Sequence, residues 1–360
     1  MKTTLSKTAI AMLLSIMTAP VFAQVTLPRT PSPAAAVSQT IGISTITVNY
    51  SRPKVNGREI WGKLVPYGYN VEGFGLGNPS PWRAGANENT TIEFSHDAKV
   101  EGQNVPAGKY GLFFVINEDN TGEVILSKDN RSWGHYFYDP KNDQLKSPIK
   151  IRDYTMTEHL TYDFINLTKN GCELVLNWEK KQFPIQIQFD VDKIVMANAA
   201  EELKGPSGFT AAGPISAANY ALVNRVNEQQ ALKWIDQALN QNRTYQALQI
   251  KAGLLRNTGK AAEADKLMKD AMSIATEAEI NQYGYQLLSQ GDVDKAIEIF
   301  TINTERYPKS PNTFDSLGEA YATKGDKKNA IKNFKKALDM NPPPNVRANS
   351  EKYLKQLGAM

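Results

Sequence analysis

Two stretches near the C-terminal end carry the same spacing of large, small and turn residues, 34 positions apart. One set is Phe314, Leu317, Gly318, Tyr321, Ala330, Phe334, Ala337 and Pro342. The other is Ile280, Tyr283, Gly284, Leu287, Ala296, Phe300 and Pro308, with Asn303 at the place of a small residue. Apolar residues one turn apart along two successive segments describe paired antiparallel helices, and such a pair buries its seam only by stacking on like neighbours. Gly284 and Gly318 let the second helix approach closely. Gly291-Asp292 and Gly325-Asp326 are expected to separate the helices, glycine taking the left-handed conformation and aspartate capping the next helix. Pro308 and Pro342 end the second helix. Weaker copies run through Leu248, Ala252, Leu255, Ala264, Met268 and Ala271, and through Ala218, Leu222, Ala231, Ile235 and Ala238. Three to four helical hairpins follow, closed by a capping helix through Val346, Tyr353, Leu354 and Leu357.

This period and pattern is the tetratricopeptide signature, expected over residues 217–360. Such arrays hold partners on stacked surfaces. Gln249, Arg256, Asn281, Tyr285, Asn312, Asp315 and Glu319 are expected on the concave side. They are polar and mixed in charge, suited to an extended peptide or protein loop, or to packing on the rest of the chain.

Upstream the apolar period changes to two. Ile46, Val48 and Tyr50 alternate with Thr45, Thr47 and Asn49, and Ile185, Ile187, Phe189 and Val191 with Gln186, Gln188 and Asp190. Tyr110–Ile116 is apolar on both sides, which places it centrally. Asn170-Gly171 is read as a two-residue hairpin turn, and Glu101-Gly102 and Thr121-Gly122 mark further turns. Nine or ten short strands predict an antiparallel β-sandwich or a barrel-like domain over residues 37–196, after an extended lead-in at 24–36. Residues 197–216 hold two Gly/Pro breaks and are expected to be the linker. The fold class is therefore multidomain: a β-domain followed by an all-α solenoid.

Residues 1–23 read as a signal peptide: Lys2 and Lys7, an apolar run from Ala9 to Met17, and small residues at Val21-Phe22-Ala23. An exported protein, periplasmic or extracellular and soluble after cleavage, is expected, with no membrane span. Cys172 is the single cysteine, which excludes an intramolecular disulfide. It alternates with Leu174, Leu176 and Trp178 and is read as a buried thiol. Net charge falls from +4 to +2 without Lys2 and Lys7. No field of one sign argues for nucleic acid.

Two irregular stretches carry side chains that core packing leaves unexplained. Residues 52–88 hold Trp61, Tyr67, Trp82, Arg83, Asn87 and Glu88; residues 130–138 hold Trp133, His135 and Tyr136. Aromatic faces beside polar groups on long loops suit sugar rings or peptide groups, or else plug the ends of the sandwich. His96, His135 and His159 are scattered and no metal or cofactor motif is present, so neither is expected. Were the domain an enzyme, Glu88 with Arg83 and His135 would be the constellation, with Asp139 or Asp153 as a second carboxylate. The structural reading of the same residues makes Arg83 the ion-pair partner of Glu88, pinning the loop.

Val65-Pro66-Tyr67-Gly68, Trp82-Arg83-Ala84-Gly85-Ala86-Asn87-Glu88, Pro106-Ala107-Gly108-Lys109-Tyr110-Gly111 and Trp133-Gly134 carry a resemblance. Over about residues 24–190 the chain resembles an exported bacterial β-domain family of unassigned function, whose members often carry tetratricopeptide repeats after it. Residues 70–81 stand as an insertion between the Pro-Tyr-Gly and Trp-Arg elements. The expectation is a non-enzymatic binding or scaffold protein: repeats recruiting a protein or peptide partner, and a β-domain binding an envelope glycan or peptide. The alternatives are a hydrolase acting through Glu88 and an assembly or stability factor without a small ligand.

Overall fold

The computed structural model describes residues 31–71 and 73–360. The expected signal sequence and most of the lead-in lie outside the described residues. The chain divides into two compact units at Phe189/Asp190.

In the first unit the strands run, in order, β1 (Ala34–Ile41), β2 (Ser44–Ser51), β3 (Asn70–Val71), β4 (Pro79–Ser80), β5 (Thr91–Phe94), β6 (Ala98–Val100), β7 (Gln103–Val105), β8 (Gly108–Ile116), β9 (Thr121–Ser127), β10 (Asp143–Lys150), β11 (Arg152–Ile165) and β12 (Gly171–Gln188). A six-stranded antiparallel sheet has the order β1-β2-β5-β8-β9-β10, and a four-stranded one the order β11-β12-β6-β7. β8 is central and buried on both faces, as its apolar run implies. Phe114 of the first sheet meets Phe183 of the second at 5.2 Å between ring centroids, and Tyr50 meets Tyr162 at 4.8 Å. These pairs join the sheets into a sandwich.

Three details differ from the sequence expectation. The first strand begins at Ala34, inside the expected lead-in. Between β11 and β12 the connection is Asn166–Asn170, not a two-residue Asn170-Gly171 turn. Its left-handed residue is Asn166, and Thr168 N–H bonds Gly171 O at 2.8 Å. Glu101 and Gly102, by contrast, are both left-handed, as a two-residue hairpin requires. Last, Val191 opens a helix instead of continuing the strand, because Asp190 accepts from Lys193 N–H and caps it.

The second unit contains α1 (Val191–Glu202), α2 (Ala212–Asn224), α3 (Glu228–Gln241), α4 (Tyr245–Asn257), α5 (Ala261–Ile274), α6 (Glu277–Ser289), α7 (Val293–Arg306), α8 (Pro311–Lys324), α9 (Lys327–Asp339) and α10 (Pro344–Gln356). The expected linker is thus mostly ordered: α1 carries its first part, a 3-10 turn spans Pro206–Gly208, and α2 begins at Ala212. Four hairpins (α2/α3, α4/α5, α6/α7, α8/α9) and the capping helix α10 form the solenoid. A Cβ on Gly284 would lie 2.5 Å from the Phe300 ring, and one on Gly318 would lie 2.8 Å from the Phe334 ring. That close approach explains the small residue in each unit. Gly291 and Gly325 are left-handed, and Asp326 caps α9 as expected. Asp292 does not cap α7; its carboxylate faces Lys295 at 3.4 Å. Asn303, standing for the small residue of α7, is buried and donates to Glu277 O at 3.2 Å. Among the described residues no helix is long and apolar enough to cross a membrane.

Candidate functional site

Three irregular segments converge at one end of the first unit: residues 52–69 after β2, 81–90 between β4 and β5, and 128–139 after β9. Each is fastened by backbone. Trp82 N–H and Phe114 N–H each donate to the other's carbonyl, at 2.8 and 2.9 Å, so the Trp-Arg segment rides on β8. Ala84 is fully buried at φ +53°. Its carbonyl accepts from Thr90 Oγ1 at 3.1 Å and Tyr162 OH at 3.0 Å, which hold a conformation that costs an ordinary residue about 1–2 kcal/mol. A Cβ on Gly85 would meet Thr90 Oγ1 at 2.6 Å. The first part of the motif is thereby explained by packing.

The Arg83 guanidinium ties the second loop to the third. Nη1 donates to Asn87 O at 2.8 Å, Nη2 reaches Tyr136 OH at 3.5 Å, and Cζ lies 5.2 Å from the Tyr136 ring centroid. Gly134 presses against it; a Cβ there would sit 2.5 Å from Nη1. Trp-Arg and Trp-Gly, distant in sequence, are two halves of one contact.

Between the loops lies a cleft of about 640 Å3. Trp82 and Trp178 form an aromatic wall, stacked 5.8 Å apart and 14° from parallel. Lys54, Arg58, Arg83, Asn56, Asn87 and His135 supply polar lining. Trp61 packs edge-on against both indoles and donates Nε1–H to Glu179 at 3.1 Å.

Of the sequence candidates, Trp82, Arg83, Asn87 and His135 line this cleft. Trp61 stands behind its wall and Tyr136 behind Arg83. Tyr67 is exposed and covers Gly62, and Trp133 is half exposed; neither lines the cleft. Glu88 is exposed and does not line it either. Arg83 donates to Asn87 and Tyr136, not to Glu88, so the expected ion pair gives way to a carbonyl and a ring. Asp139 caps a 3-10 turn through Lys141 N–H, and Asp153 pairs with Lys181 at 2.6 Å. Sequence reading missed Lys54, Asn56, Arg58 and Trp178. The first three follow β2 without a motif, and Trp178 reads as core, which it also is at 1% exposure.

The insertion at 70–81 forms the β3–β4 hairpin and props the third loop. Phe74 packs edge-on against Tyr136 and Phe137, Leu76 N–H donates to Tyr136 O at 3.0 Å, and Asn78 donates to Tyr138 O at 3.1 Å. Among the described residues no three His, Cys, Asp or Glu side chains are grouped to hold a metal. Cys172 is buried, and burial pushes its thiol up to about 11.

In the second unit the expected concave set separates. Asp315 is buried and is not open to a partner: Asn349 of α10 donates to it at 2.7 Å, and Ser350 OH also donates to it. Asn349 donates to Glu319 as well, at 2.5 Å. Tyr285 OH bonds Ser316 Oγ at 3.2 Å and its ring packs on Phe300. Burial pushes Asp315, Glu319 and Tyr285 up in pKa. For Asp315 and Glu319 the physical reason is α10, which packs over α8 and covers them, whereas Tyr285 is packed against α7 and α8. Asn312 faces Glu277 at 3.5 Å, and Gln249 links to Gln286 at 3.4 Å. Asn281 is half buried. Arg256 pairs with Asp265 at 2.9 Å and borders a different groove, of about 1010 Å3, with Met268, Met272, Ile299 and Ile302.

Residues 32–187 match a family described as protein of unknown function (DUF2911), and residues 312–344 match the tetratricopeptide repeat. The chain thus carries a DUF2911 domain followed by a tetratricopeptide repeat. No curated protein matches the chain. Among solved structures it is similar to YrrB, described as a tetratricopeptide protein with an unusual peptide-binding site, at 21% identity and a TM-score of 0.29, covering 45% of this chain and 84% of that one. It is similar to PilF of Pseudomonas aeruginosa at 20% identity and a TM-score of 0.28, covering 42% and 71%. A third likeness is the C-terminal part of a tetratricopeptide repeat protein from Cytophaga hutchinsonii, at 16% identity and a TM-score of 0.31, covering 44% and 66%.

Proposed function

We propose that this DUF2911–tetratricopeptide chain is an exported binding and scaffold protein, whose β-domain takes an envelope glycan in the loop cleft while its helical repeats recruit a protein partner. The observation that carries the first half is the cleft: an indole wall with amide and cationic side chains around it, the chemistry that holds sugar rings by their faces and hydroxyls. Glu88 stands outside the lining, which favours binding over a hydrolytic role for that residue. The tetratricopeptide match supports the second half, since stacked helical hairpins offer surfaces to other chains. Export rests on the N-terminal sequence, with Lys2, Lys7 and the Val21-Phe22-Ala23 site.

A glycan and peptide array with the full chain tests the β-domain reading. Bound saccharides are expected, recovered at unchanged length. Leu64→Glu, which changes an exposed apolar residue of the lining, should weaken the signal about tenfold or more. An array dark for every saccharide overturns the reading.

A further inference from the structure

The lining of the cleft is one-sided in charge. Lys54, Arg58 and Arg83 face it and, among the described residues, no Asp or Glu does. Nor are these cations neutralised locally. Arg58 donates to the carbonyls of Val55 (3.0 Å) and Lys54, and Arg83 to Asn87 O and Tyr136 OH. Carbonyls and hydroxyls orient a guanidinium but leave its full charge to act outward. Among the described residues none of the three has a carboxylate within ion-pair distance, although the chain as a whole is near neutral. Two carboxylates near this end stand outside the lining: Glu158 accepts from Asn56 N–H at 2.9 Å and Glu179 from the Trp61 indole. A concavity with like charges and an apolar wall concentrates potential and attracts the opposite sign. The same wall holds one donor without an acceptor: Trp178, 1% exposed, has no hydrogen-bond partner for its indole Nε1–H among the described residues.

We infer that the cleft takes an anionic oligosaccharide, its negative group held by Lys54 and Arg58 and its ring laid against Trp82. This rests on the proposed glycan reading and adds the charge class. Arg83 is already fixed by two loops, so it shapes the cleft and contributes field. Lys54 and Arg58 are the exposed cations that set specificity. A guanidinium and an ammonium together discriminate an acidic sugar from its neutral counterpart by charge-assisted hydrogen bonds.

The experiment titrates the full chain, by tryptophan fluorescence and calorimetry, with three probes: hyaluronan tetrasaccharide (acidic), chitotetraose (neutral, sharing the N-acetylglucosamine unit) and tetraglutamate (acidic, without a ring). Hyaluronan tetrasaccharide is expected to bind at least tenfold tighter than chitotetraose, with tetraglutamate weaker than both, and to lose affinity severalfold between 20 and 200 mM salt, as about one to two exposed ion pairs predict. Lys54→Glu, at an exposed side chain with no bond to lose, should cut hyaluronan affinity fivefold or more, and by a clearly larger factor than it cuts chitotetraose affinity. Arg58→Gln, which keeps a donor for the turn, should act in the same direction. Equal affinity for the two saccharides, unmoved by Lys54→Glu, overturns the charge inference and leaves the glycan reading standing. Tight tetraglutamate binding without saccharide binding identifies an acidic peptide site and overturns both. No binding of any probe overturns the inference, while the array decides separately whether a glycan binds at all.

Discussion

Gly134 shows how much a single position holds. It is left-handed at φ +61° and lies flat on the Arg83 guanidinium, where a methyl group would sit 2.5 Å from Nη1. Gly134→Ala therefore incurs both backbone strain and a clash, and we expect a loss of about 2–3 kcal/mol in urea unfolding. Gly68→Ala, also left-handed but with open space around its Cβ, should cost only about 1 kcal/mol. A smaller loss at Gly134 than at Gly68 would show that Arg83 yields, and that the two loops are not pinned by it. Glycines such as Gly284 and Gly318 were legible in the sequence because the repeat period gave them a meaning. Gly134 was legible only as half of a motif. Its partner lies 51 residues away, and nothing local encodes which side chain a glycine must admit.

Among elements, α10 is more than a cap. It buries Leu354, stacks Tyr353 on Phe334 at 5.0 Å, and brings Asn349 and Ser350 onto two carboxylates one turn apart on α8. Asp315 and Glu319 are both pushed up in pKa, by burial above all, while the bonds from Asn349 and Ser350 pull them partly back. A carboxyl that ionises less readily folded than unfolded contributes stability when protonated. That contribution is full below the ordinary carboxylate range and is lost as pH rises through the raised folded value. We expect the helical unfolding midpoint, followed by circular dichroism at 222 nm, to fall on going from about pH 4 upward through this window. Asp315→Asn with Glu319→Gln should remove that part of the slope. A slope identical in the variant would locate the pH dependence elsewhere. Sequence periodicity placed every hairpin, since seams of Ala, Leu and Phe follow helix geometry directly. It assigned Asp315 and Glu319 to an open surface because the position of a terminal helix depends on packing that no period expresses.

For the whole molecule, the two-part architecture was readable from the change of apolar period, two in the first half and near 3.6 in the second. The boundary was not, because Ile185, Ile187, Phe189 and Val191 keep strand alternation past the point where Asp190 starts a helix. The site was half readable. Aromatic and Arg/Asn residues of the loops stood out against the core pattern, whereas Lys54 and Arg58 look like any surface cations until the fold gathers them. Residues 31–189 hold both sheets and all three loops, so this fragment should fold without the repeats. A β-type spectrum and a cooperative melt are expected, and a molten or insoluble fragment would contradict the division.

The Trp61–Trp82–Trp178 cluster has an optical consequence. Three indoles with centroids 5.7–5.8 Å apart, one pair nearly parallel and the third close to perpendicular, share their excited states. The native fold is therefore expected to carry an exciton contribution to the ultraviolet circular dichroism that changes when any one of the three rings turns. Whatever enters beside Trp82 announces itself as a change in that coupling, without a label.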